Sequence, residues 1–328
     1  MAYSEEILSK ARARLEQARQ EQQEAYQARL QEAYIRYPRL KEIDHELRRT
    51  MAQVIAVAFR KGEDPTAAIE SIKEKNLALQ QEREWILEAS DLGADYLDDT
   101  PVCSKCGGTG YIGSTMCECL SALCRSEQKK ALSSLIGTGK ERFSAFRLDY
   151  YPDKTDPVLG ISPRDIMADT FLHCKNYAAN FSAQSTSLLF TGNTGLGKTF
   201  LSGCIARTVA EKGFSVIYDT AIQIISDYEN VRFGDNSEES RRTLNKYTAC
   251  DLLIIDDLGT EMVTQFTISA LYQVINTRLL QGKQTIVSTN LDPHGIRSRY
   301  SPQIASRLLG DFELITFLGE DIRLRGKL

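Results

Sequence analysis

The feature that most constrains the fold is a glycine-rich stretch in the middle of the chain, which reads SLLFTGNTGLGKT over residues 187–199. An apolar run leads into the pattern G-x-x-x-x-G-K-T, and the residues that follow are typical of a helix. A buried strand, a glycine-rich loop and a helix N-terminus form the context that a phosphate-binding loop requires. The sequence therefore predicts an α/β nucleotide-binding domain, and this context disfavours a glycine-rich turn that binds nothing.

The residue types of this loop match the chemistry of a triphosphate. Glycines allow backbone conformations closed to other residues, so successive N–H groups can turn inward, and the helix N-terminus adds further N–H groups. Lys198 supplies a mobile ammonium for the β- and γ-phosphates, and the Thr199 hydroxyl is a ligand for Mg²⁺. We predict that ATP is bound by Gly192, Asn193, Thr194, Gly195, Leu196, Gly197, Lys198, Thr199 and Phe200.

A pair of acids follows another apolar run, LLIIDD at residues 252–257, which indicates a buried strand with carboxylates at its end. We expect Asp256 to hold Mg²⁺, directly or through water, and Asp257 to orient or deprotonate the attacking water. Glu261 is a second candidate for that base. The alternative is a capped strand end without metal, which the preceding phosphate loop disfavours.

Three further polar residues are candidates for catalysis. Asn290 follows the apolar run QTIVST and could position water without adding charge, although an asparagine in a turn before Asp-Pro is also common. Arg307 and Arg323 are of interest because an arginine supplied across a subunit interface can stabilise transition-state charge. Most helical arginines are solvated or form weak surface pairs, and the residues alone favour that alternative.

Short apolar runs alternate with helical patterns in the second half of the chain, which predicts a parallel sheet covered by helices on both faces. The other predicted strands are 215–219, 251–256, 284–289 and 313–318, and the predicted helices are about 198–212, 221–230, 237–248, 264–281 and 300–309. An aromatic-rich run at 141–152 precedes this region. It is expected either to cover the nucleotide base or to pack on the core.

The first hundred residues favour helix. Residues 4–36 are dense in Glu, Gln, Arg and Ala up to Pro38, and further helices are expected at about 40–59 and 65–90. This region carries no catalytic pattern. A solvated helical arm and a docking surface for a protein partner both remain open.

Two cysteine pairs lie in the stretch CSKCGGTGYIGSTMCEC, residues 103–119. Pairs that flank a short hairpin-like loop favour a closed, tetrahedral structural zinc site, with glycine N–H groups turned toward the sulfurs. The predicted ligands are Cys103, Cys106, Cys117 and Cys119. Cys124 is an alternative ligand, and a reduced loop without metal is the alternative to a zinc site.

The totals allow two or three domains in 328 residues, and a net charge of −4 argues neither for nor against nucleic acid. No apolar stretch reaches membrane-spanning length and the start has no signal-peptide core, so we expect a cytoplasmic protein without membrane contact. The eight cysteines are then thiols or metal ligands. We expect a helical partner-binding region at 1–100, a zinc module at 101–125, a linker at 126–160 and an ATPase domain at 161–328.

In their order, the motifs GNTGLGKT, LLIIDDLGTE, LYQVINTRL, TIVSTNL, IASRLLG and FLGEDIR resemble the AAA+ ATPase domain of bacterial replicative helicase loaders of the DnaC/DnaI type. The helper ATPases of the IstB type are close relatives, and the resemblance covers about residues 140–328. The N-terminal half resembles a loader subgroup of Gram-positive bacteria and phages. That subgroup has a helical start, an R-x-P-x-L stretch, here at residues 36–40, and a C-x-x-C…C-x-C zinc module.

The resemblance implies a five-stranded parallel sheet in the order 5-1-4-3-2, and self-association with ATP at subunit junctions. It implies the following roles: Lys198 and Thr199 in Walker A, Asp256 and Asp257 in Walker B, Asn290 as sensor 1, Arg307 as the finger that acts in trans, and Arg323 as sensor 2. Walker B ends in Asp-Asp here, whereas most AAA+ proteins have Asp-Glu. The shorter side chain weakens the case for Asp257 as the base.

The implied function is ATP-dependent loading of a DnaB-type hexameric helicase onto single-stranded DNA, with the N-terminal helices and zinc module gripping the helicase. One alternative is an IstB-like transposition helper ATPase that binds duplex DNA and a transposase, against which the zinc module and helical N-terminus argue. A second alternative is an adaptor that binds ATP and scarcely hydrolyses it.

Overall fold

The computed structural model describes residues 3–58, 66–135, 141–155, 157, 160–234 and 238–323. The chain divides into two compact units. One comprises Ala13–Cys119, and the other comprises Met1–Arg12 together with Leu120–Leu328. Among the described residues, none of the helices combines the length and the apolar character needed to cross a membrane.

Long helices and a small hairpin make up the unit Ala13–Cys119. The helices are α1 (Glu5–Arg36), α2 (Pro38–Ala58) and α3 (Thr66–Ala89), followed by a 3₁₀ turn (Ala94–Leu97) and the hairpin strands β1 (Tyr111–Ile112) and β2 (Thr115–Met116). The expected ends at residues 59 and 65 lie outside the described residues. Pro38 ends α1, as predicted, and also begins α2, because a proline fits the first helical position without losing a hydrogen bond.

The helices of this unit share a small buried cluster. Its members are Leu30 and Ala33 of α1, Leu40 of α2, Leu87 of α3 and Leu97. Leu30 and Ala33 are three positions apart on α1, so they lie on the same face of this helix.

A five-stranded parallel sheet forms the centre of the second unit. Its strands are β3 (Leu188–Thr191), β4 (Val216–Thr220), β5 (Leu252–Leu258), β6 (Gln284–Thr289) and β7 (Glu313–Thr316), in the order β4-β5-β6-β3-β7. Counted from β3, this is the order 5-1-4-3-2, so the predicted sheet topology is confirmed.

Helices surround this sheet. They are α4 (Glu118–Leu135), α5 (Pro163–Asn180), α6 (Lys198–Glu211), α7 (Ala221–Phe233), α8 (Glu238–Ala249), α9 (Gln265–Leu280), α10 (Pro293–Arg299) and α11 (Pro302–Gly310), with 3₁₀ turns at Phe143–Ala145 and Leu148–Tyr150. The short helix α10 was not predicted. The Asp292 side chain accepts a hydrogen bond from Gly295 N–H, so the Asp-Pro pair that indicated a turn starts a helix instead.

The central strands alternate between two hydrophobic clusters. On β5, Leu253 and Ile255 belong to one cluster, whereas Leu252 and Ile254 belong to the other. Successive side chains of a strand point to opposite faces, so both faces of the sheet are covered. A strand that is buried on both faces is apolar at successive positions, so continuous apolar runs indicate these strands better than alternating patterns do.

A buried arginine, Arg278 of α9, connects helices to the starts of β5 and β6 through hydrogen bonds. Its guanidinium is completely buried and donates to the carbonyl oxygens of Tyr247 (2.7 Å), Cys250 (3.0 Å) and Gln284 (2.6 Å). Burial lowers the pKa of Arg278, but the surrounding carbonyl oxygens satisfy its donors. The residue therefore fixes the ends of β5 and β6 that lie opposite to the candidate site.

Candidate functional site

The phosphate loop follows β3 and turns on glycines in the left-handed region. Gly195 and Gly197 have φ angles of 79° and 89°, and α6 begins directly afterwards at Lys198. A side chain at Gly192, where φ is 137°, would lie 2.3 Å from the Phe317 carbonyl oxygen. The glycines that defined the sequence motif are thus required by backbone angle and by close packing.

Lys198 lies inside the loop. Its Nζ donates to the carbonyl oxygens of Gly192 (2.7 Å) and Asn193 (2.8 Å). Burial lowers the pKa of Lys198, while the carboxylates of Asp257 and Asp256 act to raise it. The ammonium is therefore held by weak, neutral partners in a buried position that suits an anionic ligand.

Asp256 and Thr199, the two predicted magnesium ligands, meet across the sheet edge. The Thr199 hydroxyl donates to Asp256 Oδ1 at 3.3 Å. Two side chains that the sequence analysis did not identify also donate to this buried carboxylate: Ser288 to Oδ1, and Tyr218 to Oδ2 at 2.7 Å. Burial and the Asp256 charge raise the pKa of Tyr218, so its hydroxyl stays a neutral donor.

Asp257 has an unusual backbone conformation, with a φ of 54°. Burial raises the pKa of its carboxyl group, as does the charge of Asp256, whereas Lys198 and Arg323 act in the opposite direction. The charges of Lys198 and Arg323 thus act on the Asp257 carboxyl group and favour its ionised form.

Glu261, the second candidate base, is engaged elsewhere. Its buried carboxylate accepts from Gly259 N–H at 2.8 Å and from the Tyr300 hydroxyl, so both oxygens are hydrogen-bonded. Asn290 follows β6 and is exposed, and its side-chain oxygen lies close to Gly259, at the end of β5. Both carboxylate oxygens of Glu261 are thus occupied, which makes Asp257 the better candidate for the base.

The two candidate arginines occupy different places. The segment that carries Arg323 packs on the phosphate loop, because Ile322 N–H donates to the Gly195 carbonyl at 3.1 Å. Arg307, in contrast, lies on α11 and pairs with Asp311 at 3.1 Å, with 40% of each side chain exposed. The backbone next to Arg323 thus contacts the phosphate loop of its own chain, whereas the Arg307 side chain is partly exposed.

Aromatic residues of the run at 141–152 also pack against the loop. Tyr151 is fully buried, and its hydroxyl donates to the Leu196 carbonyl at 2.9 Å. Phe146 stacks on Tyr151 and Phe171, with ring centroids 5.8 and 4.9 Å apart. Both aromatic side chains therefore support the phosphate loop by packing, which was one of the two roles expected for this run.

The donor set suits a magnesium-bound triphosphate. The loop and the start of α6 offer backbone N–H groups, an ammonium at Lys198 and a hydroxyl at Thr199, and β5 adds the carboxylate of Asp256. Hydroxyl and carboxylate oxygens are the protein ligands that Mg²⁺ prefers, and ammonium and N–H groups match phosphate oxygens.

The four predicted zinc ligands also come together. The sulfur atoms of Cys103, Cys106, Cys117 and Cys119 all lie within 4.8 Å of one another. The Cys103–Cys117 and Cys106–Cys119 distances are 3.8 and 3.5 Å, and sulfurs on a tetrahedral zinc ion are about 3.8 Å apart. Cys124 is buried in the other unit and is not one of the four.

Glycines shape this cysteine group as well. Gly110 N–H donates to Cys106 Sγ at 3.3 Å, and Gly107, Gly108 and Gly110 have φ angles of 60°, 82° and 80°. Burial acts to raise the pKa of Cys106, but the Gly110 N–H and the neighbouring thiols lower it to about 6. Four sulfurs at these distances cannot all be charged without a cation among them, so the group fits a metal ion.

Comparison with known proteins agrees with this geometry. Residues 174–326 match the family described as IstB-like ATP binding protein. The chain is similar to the replicative helicase loader DnaC of Buchnera aphidicola subsp. Baizongia pistaciae, with 28% identity over 150 residues, 45% of this chain and 61% of that protein. It is similarly related to the replicative helicase loader DnaC of Escherichia coli K12, with 24% identity over 152 residues, 46% of this chain and 62% of that protein.

The chain therefore covers less than two thirds of the length of either relative. Among solved structures, it is similar to a crystal structure of the DnaC helicase loader, with 22% identity and a TM-score of 0.43, over 54% of this chain and 98% of that one. The segment that matches the family, residues 174–326, contains the sheet, the phosphate loop and the acid pair. Over residues 174–326 the chain thus resembles the IstB-like ATP-binding family.

Proposed function

We propose that this domain binds ATP with Mg²⁺ and hydrolyses it to ADP and phosphate. The observation that carries the proposal is the 3.3 Å hydrogen bond between Thr199 and Asp256, beside the ammonium of Lys198. A hydroxyl and a carboxylate next to a phosphate loop are the protein groups that hold a magnesium ion on a nucleotide.

Each predicted residue has a role in this proposal. Lys198 neutralises phosphate charge, and Thr199 and Asp256 hold Mg²⁺, which when bound polarises the phosphate oxygens. Asp257 accepts the proton of the attacking water or orients that water, and Asn290 positions it. Arg323 acts on the phosphates of its own chain, because the segment that carries it is hydrogen-bonded to the phosphate loop.

Arg307 supports a further part of the proposal, which is self-association. Its side chain is 40% exposed, and its described ion pair is to Asp311, the residue directly after the same helix. A surface pair of this kind contributes little to stability and exchanges readily. We propose that Arg307 acts on the ATP of a neighbouring copy, so that ATP lies at the junction of two subunits.

At the level of the whole protein, we propose ATP-dependent loading of a DnaB-type hexameric helicase onto single-stranded DNA. Two curated relatives are named replicative helicase loaders, and they supply this part of the proposal. The helical region, residues 1–100, and the cysteine module, residues 101–125, would bind the helicase. The ATPase domain would start near residue 161, after a connecting segment, and would contact DNA.

For the cysteine group we propose a structural zinc ion. Four cysteine sulfurs without a histidine or carboxylate ligand complete a tetrahedral coordination shell and leave no position for water. The proposed role of the ion is therefore to stabilise the two-stranded hairpin, which is too small to fold on hydrophobic burial alone.

Copurification with the replicative helicase of the host, in ATP and in ADP, tests the loader proposal. We expect the helicase to be retained in ATP and released, at least in part, in ADP, because hydrolysis removes contacts that the γ-phosphate makes at subunit junctions. Lys198→Ala should give the ADP result in both nucleotides. Capture of a transposase, with no helicase bound in either nucleotide, would contradict loading and favour the transposition alternative.

A further inference from the structure

The acid pair sits on an irregularity of the sheet. The register of β5 against β6 shifts between Ile255 and Leu258. Ile255 pairs with Val287 and Leu258 pairs with Thr289. Two residues of β5, Asp256 and Asp257, therefore lie opposite a single residue of β6, Ser288. Such a bulge leaves one residue without its regular ladder bond and re-aims the side chains around it.

Ser288 contacts both acids with one hydroxyl group. Its side chain is completely buried, donates to Asp256 Oδ1 and accepts from the Asp257 backbone N–H at 3.0 Å. A hydroxyl has one donor and two acceptor lone pairs, so the two bonds are compatible. The hydroxyl thereby satisfies the N–H group that the bulge removed from the ladder.

The conformation of Asp257 explains why such support is needed. Its φ of 54° lies in the left-handed region, which is sparsely populated by residues with a Cβ and is tolerated best by Asp and Asn. An unsupported strand end would relax toward extended angles. That change would swing the Asp257 carboxylate away from the charges of Lys198 and Arg323, with which it interacts.

We infer that Ser288 is a positioning residue for phosphoryl transfer, because its hydroxyl pins the bulge and so sets the directions of the Asp256 and Asp257 carboxylates. The inference rests on the proposed function of the acid pair. It adds that the metal-holding acid and the water-activating acid are aligned together, by one hydroxyl on the neighbouring strand. Replacing this hydroxyl should therefore impair both metal binding and turnover.

The chain contains a matched control in Ser187, directly before β3. This hydroxyl is also buried and also accepts a backbone N–H from β6, that of Thr285, at 3.0 Å. It lies at the start of its strand, whereas the acids lie at the end of β5. Ser187→Ala therefore removes a comparable cross-strand bond of the same sheet without touching either acid.

The test compares Ser288→Ala with Ser187→Ala in the full chain. We expect Ser288→Ala to lower kcat for ATP hydrolysis by about 10- to 100-fold and to raise the Mg²⁺ concentration needed for half-maximal activity. The KM for ATP at saturating Mg²⁺ should change little, because the phosphate loop is untouched. Ser187→Ala should lower thermal stability to a similar extent and keep kcat within about twofold.

Two further variants separate positioning from a structural effect. Ser288→Thr keeps the hydroxyl and should restore most of kcat. On an Asp257→Asn background, Ser288→Ala should cost much less than it does in the wild-type chain, because the two residues act in one step. Equal kcat losses for the Ser187 and Ser288 variants, or full additivity with Asp257→Asn, would overturn the inference.

Failure of the proposed function would look different. If Asp257→Asn hydrolysed ATP at the wild-type rate, the role of Asp257 would be wrong. Binding of a non-hydrolysable ATP analogue, titrated with Mg²⁺, would then decide the Ser288 inference without any turnover. A weakening of about tenfold in Ser288→Ala would support alignment of Asp256, and an unchanged titration would overturn it.

Discussion

The phosphate loop and the cysteine turns both depend on glycines with positive φ, but the two turns are supported differently. The phosphate loop joins β3, whose four residues are all buried, to the largely buried helix α6. The cysteine turns flank strands of two residues each, and of the four cysteines Cys117 alone is buried. Hydrophobic packing thus fixes the first turn, whereas the second lacks comparable packing.

This contrast predicts how each site depends on its ligand. A loop held by a packed strand, a helix and the Tyr151 hydroxyl can keep its shape without a nucleotide. A small hairpin has too little apolar surface to offset its conformational entropy, so a bound ion must contribute to its stability. We therefore expect the phosphate loop to keep its fold when the nucleotide is removed. The cysteine hairpin should lose local order when its ion is removed.

The largest expected effect concerns the phosphate loop. Lys198→Ala should weaken ATP binding on the order of 100-fold, because it removes a buried ammonium facing the phosphates, while the melting temperature stays close to that of the wild type. Titration with a fluorescent ATP analogue measures the loss. Lys175→Ala, at an exposed lysine of α5, is the control and should bind normally. Unchanged affinity in Lys198→Ala would contradict the nucleotide site.

The next effect concerns the cysteine group. The purified protein should contain one zinc ion per chain, and Cys106→Ser should lose it together with the order of the β1–β2 hairpin, since an incomplete ligand set binds zinc poorly. Metal analysis and hydrogen exchange measure the two losses. ATP affinity should be retained, which separates the two sites.

Cys124→Ala serves as the matched control for this prediction, because Cys124 is also a cysteine near the pairs but lies outside the group of four sulfurs. It should keep its zinc. A well-folded wild-type preparation without metal, or zinc loss in Cys124→Ala alone, would show that the four sulfurs were assigned wrongly.

The smallest effect concerns charge in the nucleotide site. Burial and the neighbouring Asp256 raise the pKa of Asp257, so the folded chain retains a proton that the unfolded chain has released. Stability then falls as pH rises from the ordinary aspartate pKa through the raised one, and the full penalty persists above it. Asp257→Asn should remove the penalty and raise the melting temperature at pH 7 by less than about 3 °C.

A pH series of thermal unfolding checks this prediction. The gain from Asp257→Asn should be largest at neutral pH and should vanish in acid, where both states of the wild type are protonated. A gain that is independent of pH would show that the electrostatic explanation is wrong and that the substitution acts through the backbone.

Sequence reasoning located the sheet because runs such as residues 252–255 are apolar on both faces, which only a covered central strand can bury. It located the residues of the motif because their spacing along the chain is fixed. It missed Tyr218 and Ser288, because their contacts with Asp256 depend on how strands align with each other.

Other features were equally inaccessible from sequence. A lone arginine in a helix is normally solvated, so nothing indicated that Arg278 would be completely buried among carbonyl oxygens. Likewise, the helix α4 begins within the cysteine stretch and continues to Leu135, into residues for which a linker was expected. The burial of Arg278 has no local pattern, because it depends on carbonyl oxygens from other elements.

The left-handed conformation of Asp257 bears on how a catalytically dead form of this protein should be designed. Exchanging an acid for alanine or glutamine is a common way to trap an ATPase before turnover, but neither side chain favours a positive φ. In such a variant, loss of the carboxylate and distortion of the end of β5 would both lower activity, and the two effects could not be separated. Asparagine tolerates a positive φ as aspartate does, so Asp257→Asn is the better variant for trapping the ATP-bound state. For the same reason, glutamate in place of Asp257 would not be a conservative exchange, even though most AAA+ proteins carry it there.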